Sequence, residues 1–282
     1  MVKRGLVLGG GGVAGIAWEL GVLLGIRDAA PDLRPAVVDA EMIVGTSAGS
    51  TVAAQLATGI DLEELFNRQL SDTSSEIEVD FDIESVTAMF ADAANGATSD
   101  AEIRRRIGAL ALEAATVPES DRRAAIAGRL PQHEWSKRRV LIPAVDAETG
   151  DLVVFTNTAG VPLVDAVAAS CAVPGVWPPV SIDGRRYMDG GVRSATNADL
   201  ADDCDRVLVI SPALAGAEPA AGQLKHELTA LSPVSVYVVH GDDAALAAFG
   251  SNPLSPATRK PAALAGRELG RHIGAEVAAY WR

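Results

Sequence analysis

The sequence predicts an α/β protein with a mostly parallel central sheet flanked by helices, and three observations predict it. Residues 5–8 and 42–44 are short apolar runs, each closed by a glycine-bearing turn and each followed by a helical pattern. Strand–turn–helix twice within about sixty residues is the grammar of a parallel sheet covered by helices. Further apolar runs at 140–146, 206–211 and 235–240 supply more buried strands. A hydrophobic content of 48% over 282 residues allows a large core and excludes a disordered tail, a collagen-like repeat or a disulfide-stapled mini-protein.

Taken in order, Lys3 and Arg4 precede a Gly/Ala/Leu/Val stretch that mimics the start of a signal peptide. Four glycines at 9–12 break that stretch and Glu19 interrupts it. No run reaches the roughly 18 apolar residues of a spanning helix, so 5–27 reads as folded structure and the protein as cytoplasmic or peripherally membrane-associated. Ile16, Leu20, Leu23 and Leu24 repeat at helical spacing, and a small-residue helix is expected over 48–58. Between 61 and 135 amphipathic helices replace strands, at about 62–70, 84–95, 100–115 and 120–129. Ser99-Asp100-Ala101-Glu102 fits a capping box that starts the third of these. The acidic stretch 76–84 reads as a solvated connection. Runs 140–146 and 152–156 flank Glu148-Thr149-Gly150, a hairpin turn, and a closing helix is expected over 261–281. With neither a repeat nor a linker, residues 1–282 are expected to form a single domain carrying a helical insertion at about 61–135.

The formal charge is −13, which repels nucleic acid and argues against it as a partner. Any contact with a membrane or micelle would be transient, and hydrophobic or locally basic. Arg104-Arg105-Arg106 and Lys137-Arg138-Arg139 are the basic clusters, read either as headgroup contacts or as solvated faces. Aromatic residues are 4%, too few for an interfacial belt. Cys171 and Cys204 are the two cysteines, with no metal-ligand spacing around either, so no metal or cofactor is expected. Nothing in the pattern specifies an oligomeric state.

Gly10-Gly11-Gly12-Val13-Ala14-Gly15 satisfies G-x-G-x-x-G between a strand and a helix. A dinucleotide site would want an acidic residue about twenty positions on; Asp39 is near that distance, with Pro31 and Pro35 crowding the approach. More generally, glycines ahead of a helix point several N–H groups outward, which suits a phosphate or the oxyanion of an ester under attack. Gly45-Thr46-Ser47-Ala48-Gly49 is G-x-S-x-G directly between an apolar run and a helix, where a sharp turn presents the serine hydroxyl at the sheet edge. The serine needs a base. His240, at the end of a predicted strand, is one candidate; Asp189, in Asp189-Gly190-Gly191, is the other. A carboxylate of ordinary acidity is a feeble base, so Asp189 would need exclusion of water and direct contact with Ser47.

Gly10-Gly11-Gly12 with Gly15, then Gly45-Thr46-Ser47-Ala48-Gly49, then Asp189-Gly190-Gly191 resemble, as an ordered set, the patatin family of lipid acyl hydrolases. The Pro-rich stretch from Ala169 to Pro179 is similar to the family's segment ahead of the Asp-Gly turn, and the resemblance covers roughly residues 5–210. It implies a three-layer α/β/α fold and a Ser–Asp dyad acting on a lipid or ester substrate without metal. Ser47 would be the nucleophile and Asp189 the general base, with N–H groups around Gly10, Gly11 and Gly12 forming the oxyanion hole. One departure is Ala14, where the family commonly has Arg or Lys. It leaves a catalytically weak lipid-binding relative as an alternative, with a nucleotide-binding enzyme behind it. In the insertion, Leu62, Leu65, Phe66, Val86, Met89 and Phe90 are read either as core or as lining for an acyl-chain tunnel or lid.

Overall fold

A computed structural model describes residues 2–31, 39–79, 83–214 and 220–282. Pro35 and part of the acidic stretch, 80–82, lie outside the described residues. Five strands carry the frame: β1 (Arg4–Leu8), β2 (Met42–Gly45), β3 (Arg139–Asp146), and later β7 (Arg206–Leu214) and β8 (Ser235–Gly241). Between β3 and β7 come β4 (Leu152–Phe155), β5 (Val180–Ile182) and β6 (Arg185–Asp189). They form one sheet in the order β5-β6-β3-β2-β1-β7-β8, with β4 on β3. The pairings β3-β2-β1-β7-β8 are parallel, whereas β4, β6 and β5 add antiparallel partners.

The central strands are apolar throughout because both faces are covered. Leu6, Leu8, Ile43, Leu208 and Ile210 point into one core; Val7, Met42, Val44, Val207 and Val209 alternate into the other. The first core is closed by α1 (Gly12–Ala29), α2 (Ala48–Ala57), α3 (Leu62–Leu70) and the terminal helix α10 (Arg259–Trp281). Helix α1 is buried from Val13 to Ile26, so its environment is a protein interior on every side. Gly21 and Gly25 let it lie directly on α10, because a Cβ at Gly25 would press into the Arg267 carbonyl. The expected helices α4 (Ile83–Ala94), α5 (Asp100–Glu113) and α6 (Glu119–Arg129) are all present, and α7 (Leu163–Ser170) and α8 (Ala220–Ala230) follow, with α9 (Asp243–Phe249) preceding α10.

Several details differ from the sequence reading. The Ser99 hydroxyl caps α5 by accepting from Glu102 N, but the Glu102 carboxylate accepts from Thr98 rather than from Ser99, which shifts the return arm of the box by one residue. Leu62, Leu65 and Phe66 are core residues, fully packed under α3; only Val86, Met89 and Phe90 on α4 are half-buried. The basic clusters are largely structural: Arg104, Arg106 and Arg138 donate to backbone carbonyls and Arg139 pairs with Asp203, leaving Arg105 and Lys137 exposed. No helix among the described residues is long and apolar enough to cross a membrane.

The α1–α10 contact should be intolerant of one methyl group. Gly25→Ala is expected to lower unfolding free energy by about 1–3 kcal/mol, the usual cost of overpacking, as read by urea denaturation. Unchanged stability would mean that the helices do not pack this closely.

Candidate active site

The first two glycine motifs meet at the carboxyl ends of β1 and β2, where open α/β sheets place their ligands. Thr46 N–H donates to Leu8 O at 3.0 Å, and Gly49 N–H to Gly9 O at 3.0 Å. These bonds tie the serine turn to the glycine loop. Gly49 permits this approach, since a Cβ there would collide with the Leu8 carbonyl. Ser47 itself has φ +52°, a region that an L-residue other than glycine occupies at a cost of about 1–3 kcal/mol and that clusters at functional sites. Several hydrogen bonds hold it there, among them one from Ser50 N–H to its carbonyl (3.0 Å). Its N–H donates to Ser170 Oγ (3.0 Å), and that hydroxyl donates onward to Pro143 O (2.7 Å). Its carbonyl accepts from Ser50 Oγ (2.6 Å) and Cys171 Sγ (3.2 Å). The Ser47 hydroxyl donates to Asp189 Oδ2 at 2.7 Å.

Asp189 ends β6 and is 4% exposed. Its own N–H donates to Ala172 O at 2.9 Å, and Gly191 N–H donates to its Oδ1 at 2.7 Å. Burial pushes its pKa up to about 6, against the opposing pull of the Gly191 N–H, the Ser47 hydroxyl and the Arg122 charge. Behind the pair, Asn197, in the left-handed region at φ +48°, donates to Thr46 Oγ1 (3.1 Å), Gly190 O (3.3 Å) and Ser194 O (2.8 Å). This side chain links the Gly45–Gly49 turn to the Gly190–Gly191 turn. Its role has no motif in the sequence.

The glycine loop differs in one respect from its expected use. Gly10 N–H is already committed to Ala195 O at 2.7 Å, and Gly9, Ala14 and Gly15 N–H groups bond to Ile210 O, Pro253 O and Gly11 O. The Gly10 N–H is thus spent on the chain itself, and a Cβ at Gly10 would stand in ordinary contact with Ser47 Cβ. Among the described residues, Gly11 and Gly12 N–H groups at the start of α1 keep their donors unspent. Gly10, Gly11, Gly12 and Ser47 are partly exposed in an otherwise buried neighbourhood, so the site opens to solvent at this point. So few remaining donors suit one oxygen better than a diphosphate, and the dinucleotide reading loses its support. Ala14 is fully buried, leaving no room there for a long cation. His240 lies on β8, beyond β1 and β7 from the serine turn, and the hydroxyl is bonded to Asp189 instead.

Glu76 overturns the reading of 76–84 as merely solvated. Its carboxylate is 7% exposed and takes two bonds of 2.6 Å from Arg129. Arg129 in turn reaches Cys171 Sγ at 3.9 Å. A buried ion pair of residues 53 positions apart thus supports the floor of the serine turn; no local pattern announces it. No group of His, Cys, Asp or Glu capable of holding a metal occurs among the described residues.

A family model described as Patatin-like phospholipase matches residues 6–202. Among solved structures, human GIVD cytosolic phospholipase A2 superposes with a TM-score of 0.53 at 11% identity, over 100% of this chain and 62% of that protein's chain. VipD from Legionella pneumophila gives 0.48 at 14% identity, over 98% and 67% of the two chains. The type III effector protein ExoU gives 0.41 at 15%, over 98% and 53%. The human protein shares the fold, and this chain spans less than two thirds of its length.

The raised pKa of Asp189 has a stability consequence. The folded state binds its proton more tightly than the unfolded chain, whose value is 3.8. The resulting stabilisation is present in full below about pH 4 and is lost as pH rises through about 6. Asp189→Asn removes that loss, so the variant should gain in Tm over the native protein from pH 5 to pH 8. An equal difference at both pH values would show that Asp189 ionises without cost.

Proposed function

Because the chain belongs to the patatin-like phospholipase family, we propose that it is a serine acyl hydrolase cleaving lipid carboxylic esters, with Ser47 as nucleophile and Asp189 as general base. The observation that carries this reading is the 2.7 Å bond from Ser47 Oγ to a buried Asp189 carboxylate. In the acylation step Ser47 Oγ attacks the ester carbonyl carbon while its proton passes to Asp189 Oδ2. The carbonyl oxygen becomes an oxyanion facing the Gly11 and Gly12 N–H groups at the positive end of α1. Collapse of the tetrahedral intermediate breaks the C–O bond, and Asp189 returns the proton to the departing alcohol. Water, deprotonated by the same carboxylate, then hydrolyses the acyl-Ser47 ester and regenerates both groups. An aspartate with a pKa near 6 is a better base than one at its ordinary value and is still ionised at neutral pH.

The whole chain acts in this reading as one domain. In this reading the half-buried Val86 and Met89 of α4 face the acyl chain, with Met89 close to the Pro-rich turn at Gly175, while Phe90 packs on the cluster of Ile107, Val145 and Met188. The substrate is a lipid or simple ester met in transient contact with a membrane or micelle. A catalytically weak lipid-binding protein is the second reading, favoured by the commitment of Gly10 N–H to Ala195 O.

Ser47→Ala should abolish both p-nitrophenyl ester hydrolysis and the intact-mass adduct with a fluorophosphonate probe. An adduct that persists on the variant would rule out Ser47. Asp189→Asn should lower kcat on the order of 10²–10⁴-fold, with His240→Ala near native; the reverse pattern would transfer the base to His240. The native kcat/KM should rise with pH to a plateau, with its acid limb near pH 6 because Asp189 must be ionised. A protein that binds lipid but forms no adduct, with or without detergent, would favour the second reading.

A further inference from the structure

Ser47 and Asp189 leave strands that are not neighbours, because β3 lies between β2 and β6. Asn197, fully buried, touches the chain neighbours of both residues. Its Nδ2 donates to the hydroxyl of Thr46, which precedes Ser47, and to the carbonyl of Gly190, which follows Asp189, at 3.1 and 3.3 Å. The direction of the amide is fixed from its other end. Arg193 Nη1 donates to Asn197 Oδ1 at 2.6 Å, and a guanidinium can only donate. The amide oxygen therefore faces Arg193, and the nitrogen faces the two turns. Asp199 holds the arginine in turn, at 3.0 and 2.5 Å. On the acceptor side, Thr46 gives its own hydroxyl proton to Thr196 O (3.2 Å), which leaves its lone pairs for Asn197. The backbone around the amide is pinned as well. Ser194 Oγ accepts the Asn197 N–H (3.0 Å), while Glu227 Oε2 on α8 accepts the Thr196 hydroxyl (2.7 Å) and the Ala198 N–H (3.0 Å). Asn197 itself is left-handed at φ +48°, a region that asparagine enters more readily than most residues.

We propose that Asn197 is a positioning residue of the dyad: its amide, aimed by the Arg193–Asp199 pair, clamps the serine turn to the aspartate turn and so sets the distance over which the Ser47 proton moves. This rests on the reading of Ser47 and Asp189 as nucleophile and base. Strand pairing through β3 fixes the register of β2 and β6, but both reacting side chains sit where those strands give way to turns. The Asn197 bridge is a direct tie between the turns themselves. Proton transfer depends on the 2.7 Å contact of Ser47 Oγ with Asp189 Oδ2, and a misplacement of about 1 Å costs on the order of 10²-fold in rate. Asn197 is fully buried and so has no face for a substrate. Its loss therefore acts on the chemical step and leaves ester binding alone.

The test follows p-nitrophenyl butyrate hydrolysis together with the rate and final extent of fluorophosphonate labelling, read by intact mass. Asn197→Gly removes the amide and accepts the left-handed backbone. It should lower kcat and the labelling rate together, on the order of 10–10²-fold, with KM near native and every molecule labelled at the end. A role in the fold alone would instead lower the final labelled fraction and leave the remaining molecules reacting at the native rate. Thr46→Val removes the oxygen at one end of the bridge. It should lower kcat by itself but add little to Asn197→Gly, and Thr46→Ser should recover most of its loss. Arg193→Met should show a smaller loss that likewise disappears in the Asn197→Gly background. Losses that simply add, or a folded Asn197→Gly protein with native kcat and labelling rate, overturn the proposal. If that variant does not fold, native rates in Thr46→Val overturn it. Ser47→Ala, run alongside, separates the two levels. An adduct that persists there defeats the dyad reading, whereas its loss there, with native labelling in Asn197→Gly, defeats only the role of Asn197.

Discussion

A serine hydroxyl 2.7 Å from a buried carboxylate joins the two halves of this sheet, and the rest of the architecture serves to keep it that short. Ser47 leaves β2 in the parallel half, whereas Asp189 ends β6 in the antiparallel half. Strand β3 makes the connection, pairing in parallel with β2 through Val44↔Leu141 and antiparallel with β6 through Ala144↔Asp189. The relative position of the two side chains is therefore set by backbone register on one continuous strand. A slip of one residue in either pairing would turn a side chain to the opposite face of the sheet. Ser170, bonded to both Ser47 N–H and Pro143 O, ties the serine turn to the same strand.

Holding the pair is costly in two ways. Ser47 sits in a strained backbone region, and Asp189 is held where its charge is poorly solvated. The strain is opposed by bonds to both sides of the Ser47 peptide and by the tight seating of Gly49 on β1. The charge is opposed by the Gly191 N–H, the Ser47 hydroxyl and the charge of Arg122 on α6. The helical insertion thus enters the electrostatics of the site through Arg122. Glu19, fully buried on α1 with no cation among the causes acting on it, has its pKa driven by burial well above the ordinary carboxylate value. Asp189 lies between that state and an exposed carboxylate.

Much of this was legible in the residues. The strands, the helices of the insertion and the two glycine junctions follow from periodicity and turn chemistry, which are local. The short strands β5 and β6 were not read, because runs of three and five residues carry too little alternation to announce a hairpin. Glu76 looked like part of a solvated acidic run because its partner Arg129 is distant in sequence and local charge pattern carries no trace of it. Leu62, Leu65 and Phe66 had the spacing of any amphipathic face, and only the packing under α3 showed that they belong to the core. Gly10 had the composition of a donor, but Ala195 reaches it from the far side of the chain.

The sequence by itself determined the α/β class, the serine turn, the glycine loop and the identity of Asp189 as a candidate base. These depend on which residues can occupy a tight turn or a buried strand, a property of each segment alone. Tertiary structure decided which donors remain free at Gly11 and Gly12, that Asp189 rather than His240 meets Ser47, and that Arg122 and Arg129 share Glu76. Those outcomes depend on distance and desolvation between segments remote in the chain, and both quantities arise only when the sheet is assembled and water is excluded from it.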